Sequence, residues 1–153
     1  MLYATNRNIA KKGNVALRVL VVESNHAIRE GLVYIFEKNG YFVDEAEDGG
    51  VGLRMALSNK YQIVVTNLGI PELCGLALIK KIRDKKLDYP ILIHTTRMRW
   101  EDKVGGLEAG ADDYLCMPCS LEKLFSRAQR LMLRPNRLMS HDISERAAAH
   151  AWL

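Results

Sequence analysis

The sequence predicts an α/β protein, a doubly wound five-stranded parallel sheet with helices on both faces. Two observations carry this. Five short, apolar, β-branched runs recur along the chain, and each is followed by a segment whose apolar residues repeat at helical spacing. Strands that alternate with helices five times pair in parallel, because each crossover is long enough to return the chain to the same edge. Each crossover is expected to be right-handed.

The elements follow in order. Residues 17–22 (LRVLVV) form a buried strand. Asn25 caps a helix that runs to about Asn39, with Ile28, Leu32, Ile35 and Phe36 on one face and Gly40 as its stop. Residues 41–46 give a second strand, and Asp48, Gly49 and Gly50 signal a turn before a helix over 52–58. A third strand covers 61–66 (YQIVVT), apolar on both faces, and an amphipathic helix covers 76–86. Tyr89-Pro90 breaks that helix before a fourth strand over 91–94. A helix over 100–109 stops at Gly110, a fifth strand spans 114–117, and the last helix spans 121–133, ahead of Pro135. Residues 1–16 are a basic extension, 17–135 the folded domain, and 136–153 a linker or tail.

Composition excludes several classes. Of 153 residues, 48% are apolar and 26% charged, an ordinary globular balance. No apolar run approaches the ~18 residues a membrane-spanning helix needs, and the first residues lack the apolar stretch of a secretory signal. Three cysteines do not make a secreted disulfide framework, so a cytoplasmic location is expected. Of the net charge of +4, Arg7, Lys11 and Lys12 supply +3 and residues 136–153 sum to zero, which leaves +1 for 17–135. That is no nucleic-acid footprint. The cluster Lys80, Lys81, Arg83, Lys85 and Lys86 reads as a solvated helix end.

In a doubly wound sheet, ligands sit beyond the carboxyl ends of the strands. The residues there are Glu23 and Ser24, Asn67, Thr95 and Met117. The segments around them are similar to the receiver domain of bacterial response regulators of the OmpR/PhoB type. VLVVESNHAIREGL resembles that family's opening, NGYFVDEAEDGGVGL its second-strand stretch, LGIPELCGL its acceptor loop, and EDKVGGLEAGADDYLCMPCSLEKL a long run toward its last helix. The resemblance implies a flavodoxin-like (βα)5 fold of strand order 2-1-3-4-5. It also implies phosphoryl transfer to an aspartate after strand three, with two acids after strand one holding Mg²⁺, and a Thr or Ser and a Lys contacting the phosphoryl oxygens.

At those positions the residues differ. Asn67 stands in the place of the accepting aspartate, and an amide forms no acyl phosphate. Glu23 and Ser24 replace the acid pair, Met117 replaces the lysine, and Thr95 alone matches fully. Three acids and one lysine would sum to −2, whereas Glu23 alone gives −1. The expectation is a degenerate acceptor site without metal, cofactor or catalysis, in a regulatory module that acts independently of phosphorylation.

Other constellations leave alternatives open. Thr95 and Tyr114 match the pair that receivers use as a switch, hydroxyl moving and ring swinging inward; the alternative is a Tyr114 that packs with its hydroxyl at the surface. Cys116 and Cys119 have redox or zinc spacing, with Cys74 and His94 as further candidates, but buried inert cysteines are common. The resemblance implies a homodimer face on helix four, strand five and helix five, comprising Lys103, Glu108, Asp112, Asp113, Lys123 and Arg127. Asp113–Arg127 keeps one cross-pair, Lys103 faces Lys123, and Gln129 replaces the basic partner of Glu108 and Asp112. Ile143, Ala147, Trp152 and Leu153 form either a weak docking stripe or a frayed end, and Trp100 is either a partner contact or a rim residue. The regulator would reach DNA only through an effector domain outside this chain. The alternative is a stand-alone interaction adaptor.

Overall fold

The computed structural model describes residues 11–12 and 15–134. Residues 136–153, where the docking stripe was expected, lie outside them. Five strands form one parallel sheet: β1 (Arg18–Val22), β2 (Phe42–Ala46), β3 (Ile63–Thr66), β4 (Ile91–Thr95) and β5 (Asp113–Cys116), in the spatial order β2-β1-β3-β4-β5. Five helices alternate with them: α1 (His26–Lys38), α2 (Gly49–Ser58), α3 (Gly75–Asp84), α4 (Trp100–Ala109) and α5 (Leu121–Met132). Ahead of the sheet, Lys11–Lys12 pairs antiparallel with Val15–Ala16. The doubly wound fold and its 2-1-3-4-5 order are as the sequence implies.

Strand alternation sorts the core into two layers. Val19, Val21, Ile63, Val65, Leu92 and Leu115 point to one face and pack on α1 and α5 through Leu32, Phe36, Leu124 and Leu131. Leu20, Val22, Val64, Ile91, Ile93 and Tyr114 point to the other and pack on α2, α3 and α4 through Ala56, Leu78, Ile79 and Ile82. With both faces covered, every residue of β3 and β4 is buried. Each fully buried large aliphatic side chain contributes about 1.5–3 kcal/mol.

The caps explain the boundaries. Asn25 Oδ1 accepts from the Ile28 amide at 3.0 Å, as expected. Asp48 does the same for Val51 at 2.8 Å, so α2 begins at Gly49, three residues earlier than the turn signal suggested. The Asp-Gly-Gly sequence is a helix start. Gly40 and Gly110 stop α1 and α4 with φ of 92° and 121°. The third strand is shorter than predicted because Tyr61 turns its ring inward and donates its hydroxyl to Asp44 Oδ2 at 2.8 Å. Among the described residues no helix is long and apolar enough to cross a membrane.

Candidate functional site

The register aligns the carboxyl ends of the central strands. Val22 is level with Ala46 and Thr66, Thr66 with Ile93, and Thr95 with Cys116. The residues that follow, Glu23, Asn67 and Met117, therefore meet above one edge of the sheet together with Thr95. Of the predicted strand-end residues, Glu23 and Asn67 are in hydrogen-bond contact, and Ser24 is exposed.

Asn67 is held on both sides of its amide. Its Nδ2 donates to Glu23 Oε1 at 3.1 Å, and its Oδ1 accepts from the Leu68 and Gly69 amides at 2.7 and 3.3 Å. The orientation is forced, since Glu23 only accepts and the backbone amides only donate. Glu23 is 1% exposed, and its other oxygen accepts from the Asn25 amide at 3.2 Å. Gly75, opening α3, is required by close approach, because a Cβ there would collide with the Asn67 carbonyl.

This donor set does not fit Mg²⁺, the ion the fold family uses here. A hard cation takes carboxylate oxygens in octahedral array. The one carboxylate in place has both oxygens engaged, the Asn67 oxygen is turned to two N–H groups, and Ser24 is exposed. Among the described residues no three His, Cys, Asp or Glu side chains converge as metal ligands.

Two arginines shape the site, neither of them expected there, and a third lies half-buried at the opposite end of the sheet. Arg29 is 6% exposed on α1; it donates to the Glu23 carbonyl at 2.8 Å and pairs with Glu45 and Glu47 at 3.2 and 3.3 Å. Its position on the apolar stripe of α1 is the sequence signal that could have found it. Arg97 brings its guanidinium over the acceptor loop, where a Cβ on Gly69 would lie 3.4 Å from Nη2. No sequence signal marks it. Arg83 does not belong to a solvated helix end: it donates to the Gly110, Leu87 and Tyr89 carbonyls and to Asp112.

The backbone of Arg97 also joins Thr95 and Tyr114, the pair whose switch role the resemblance implies. Its N–H donates to Thr95 Oγ1 at 3.4 Å, and its carbonyl accepts from the Tyr114 hydroxyl at 2.7 Å. Tyr114 is 7% exposed, and its ring packs in the layer with Ile93. Burial, reinforced by the negative potential of Cys116 and Asp102, pushes that hydroxyl up to about 12, so it stays a donor at neutral pH. The inward ring packs on Gly106, where a Cβ would lie 3.4 Å from the ring and 2.5 Å from Ile93 Cδ1.

The residues assigned to the dimer face separate into two groups. Asp113 and Arg127 are paired within the domain, with Nη1 at 3.2 and 3.0 Å from the two carboxylate oxygens. Glu108 and Lys123 are exposed and Lys103 is half-buried. Asp112 sits inside, 4% exposed, accepting from Arg83 Nη2 at 3.0 Å and from the Ile91 amide at 2.8 Å. Its carboxylate joins α3, β4 and β5 of its own domain. Trp100 is 67% exposed and Met98 75%.

Of the thiol candidates, only Cys119 and His94 meet, with Sγ 3.6 Å from Nε2. Burial pushes the Cys119 thiol up and holds the His94 imidazole down at about 4. Both groups are therefore neutral near pH 7, the opposite of an activated thiolate–imidazolium pair.

A doubly wound (βα)5 domain with Glu23 and Asn67 paired beyond β1 and β3 fits the receiver module that the sequence resembles. The profile of the family described as Response regulator receiver domain matches residues 19–129, and the chain belongs to that family. It is 40% identical over 128 residues to the transcriptional regulatory protein PhoP of Escherichia coli K12, covering 84% of this chain and 57% of that protein. It is 37% identical over 134 residues to the response regulator MprA of Mycobacterium ulcerans, covering 88% of this chain and 57% of that one. The chain thus spans little more than half the length of these relatives. Among solved structures, the receiver domain of Francisella response regulator 1452 superposes with a TM-score of 0.72 at 32% identity, over 76% of this chain and 96% of the other.

Proposed function

We propose that this receiver works without aspartate phosphorylation, as a regulatory module whose competent conformation is populated unaided. The observation that carries the reading is Asn67, a neutral amide where the family's acceptor carboxylate stands, clasped between Glu23 and the Leu68 and Gly69 amides. An amide nitrogen shares its lone pair with the carbonyl and does not attack phosphorus as a carboxylate does. Met117 supplies no charge to balance a phosphoryl group.

The inward Tyr114 supports the second half of the reading. A phosphorylated receiver shifts a two-state equilibrium by the differential affinity of its phosphoryl group. Here the hydroxyl bond to Arg97 supports the inward ring without such a group. The output is self-association through α4, β5 and α5, or docking of a protein partner, in the cytoplasm. No catalysis is involved. As in the transcriptional regulators it resembles, the domain would control an effector region that binds DNA. A second reading, a partner-binding adaptor, draws support from Met98 and Trp100, exposed beside the switch loop.

The test is incubation with acetyl phosphate or beryllofluoride and Mg²⁺. No mass increase and no change in oligomeric state are expected. One phosphoryl group on the unmodified protein would overturn the proposal. Asn67→Asp alone should not restore efficient phosphorylation, because a metal ligand at Ser24 and a cation at Met117 are still missing.

A further inference from the structure

The small net charge of residues 17–135 averages over an uneven distribution. Lys80, Lys81, Lys85 and Lys86 stand at the carboxyl end of α3, and all four are exposed. Among the described residues none of them forms an ion pair, and neither do Asp84 and Asp88 beside them. Lys60, also exposed, adds a fifth cation. The Tyr89 hydroxyl donates to the Ala56 carbonyl at 2.6 Å and the Tyr89 and Tyr61 rings lie 6.1 Å apart, which joins the end of α2 to the segment after α3. Five lysines against two aspartates give +3 at the end of the sheet opposite the acceptor site.

Two features set this cluster apart from an ordinary solvated helix end. The Arg83 guanidinium folds inward onto the Leu87 and Tyr89 carbonyls, at 2.8 and 2.9 Å, and onto Asp112, so the backbone that carries Lys85 and Lys86 is anchored. Lys86 has a φ of 59°. It is the residue just past the helix end, where glycine is the usual choice and a side chain in the left-handed region costs stability. The helix dipole explains a cation or two in the last turn, and does not explain a lysine in that conformation.

We propose that this lysine cluster contacts the phosphate backbone of double-stranded nucleic acid, irrespective of base sequence. A membrane-surface site adds apolar side chains that insert, and a protein interface has an apolar core. Residues 80–88 carry no exposed large apolar side chain, Leu57 on α2 stands alone, and Met98 and Trp100 lie toward the other end of the sheet. A phosphate backbone asks only for closely spaced cations, and one turn of helix sets Lys81 and Lys85 about 5–6 Å apart at Cβ. The contact rests on no property of Glu23, Asn67 or Met117. Its consequence, a contact made intramolecular by a DNA-binding effector region on the same duplex, does rest on the reading above.

The test is fluorescence anisotropy of a labelled duplex of about 20 base pairs, titrated with the full chain. At 50 mM NaCl a dissociation constant of about 10–100 µM is expected, weakening about tenfold at 100 mM as about four phosphates are neutralised. Two duplexes of different sequence should bind alike. Lys81→Gln with Lys85→Gln should lower the slope of log affinity against log salt by about 2. Lys80→Gln, Lys81→Gln, Lys85→Gln and Lys86→Gln together should abolish binding. Glutamine keeps the helix propensity of lysine, and circular dichroism checks the fold. Lys11→Gln with Lys12→Gln, in the basic extension, should leave the constant within about twofold. The proposal is overturned by no binding at 50 mM NaCl, by binding that survives the quadruple substitution, by affinity that follows base sequence, or by binding lost with Lys11 and Lys12 instead. Tighter co-sedimentation with phosphatidylcholine–phosphatidylglycerol vesicles than binding to the duplex would assign the cluster to a membrane and overturn it as well.

Discussion

Asp112→Ala tests whether this carboxylate serves the domain's own interior or an interface. Asp112 Oδ2 takes two donors at once, the Arg83 guanidinium and the Ile91 amide, at 4% exposure. Removing it leaves a backbone N–H without its acceptor and a guanidinium without its counter-charge. Loss of one partner of a buried pair costs about 3–5 kcal/mol. The lower end applies here, because the Arg83 side chain is 16% exposed and still reaches three carbonyls. Asp112→Asn is milder. Its amide oxygen can take both donors, and it loses only the charge, about 1–2 kcal/mol. For a domain of this size each kcal/mol moves Tm by about 3–6 °C. Thermal circular dichroism should therefore show a fall of about 10–15 °C for Asp112→Ala and about 4–8 °C for Asp112→Asn. Both falls should be the same at two protein concentrations tenfold apart. If Asp112→Ala melts within 2 °C of wild type, or the loss grows on dilution, the buried-strut account is wrong and the residue works between subunits.

The dimer face gives a second test: in sedimentation, Lys123→Glu should tighten self-association by relieving repulsion against Lys103 across the two-fold, and Arg127→Ala should weaken it only indirectly, by loosening the β5–α5 brace that its pair with Asp113 makes within the domain. A monomer indifferent to both changes would move weight to the adaptor reading. His94 gives a pH signature. Its folded value, about 4, lies below the ordinary 6.5, so the unfolded chain binds the extra proton first, and stability present above pH 6.5 is lost as pH falls toward 4. The loss is about 3 kcal/mol, and urea unfolding of His94→Gln should show a flatter profile over that window. Finally, Gly106→Ala should lower the unfolding free energy from urea titration by about 1–2 kcal/mol despite the helix gain, since its Cβ would lie 2.5 Å from Ile93 Cδ1. A stabilised variant would mean that Ile93 is free to move aside.

The strands were legible because apolar runs such as 17–22 and 61–66 have no other way to bury both faces than a covered parallel sheet. The cap at Asn25 was legible for a similarly local reason, since a side-chain acceptor three residues before an amide needs no tertiary partner. Asp48 misled, because Asp-Gly-Gly is compatible with a turn and with a helix start. The bond to Val51 is decided by where the chain must descend after β2.

By itself the sequence determined the fold class, the strand-end positions that converge, and the chemical character of the residues there, a neutral amide and a thioether where charges are usual. Those are properties of residue type and periodicity, and they survive any packing. Only the tertiary structure decided which polar groups meet. Arg83 and Asp112 are 29 residues apart and each reads as surface from its neighbours. Arg29 and Arg97 gain their roles from loops brought in by other strands, and the Tyr114 hydroxyl finds its acceptor in the Arg97 carbonyl, 17 residues away. Pairings of this kind depend on distances of a few ångströms between elements far apart in the chain. No periodicity records them.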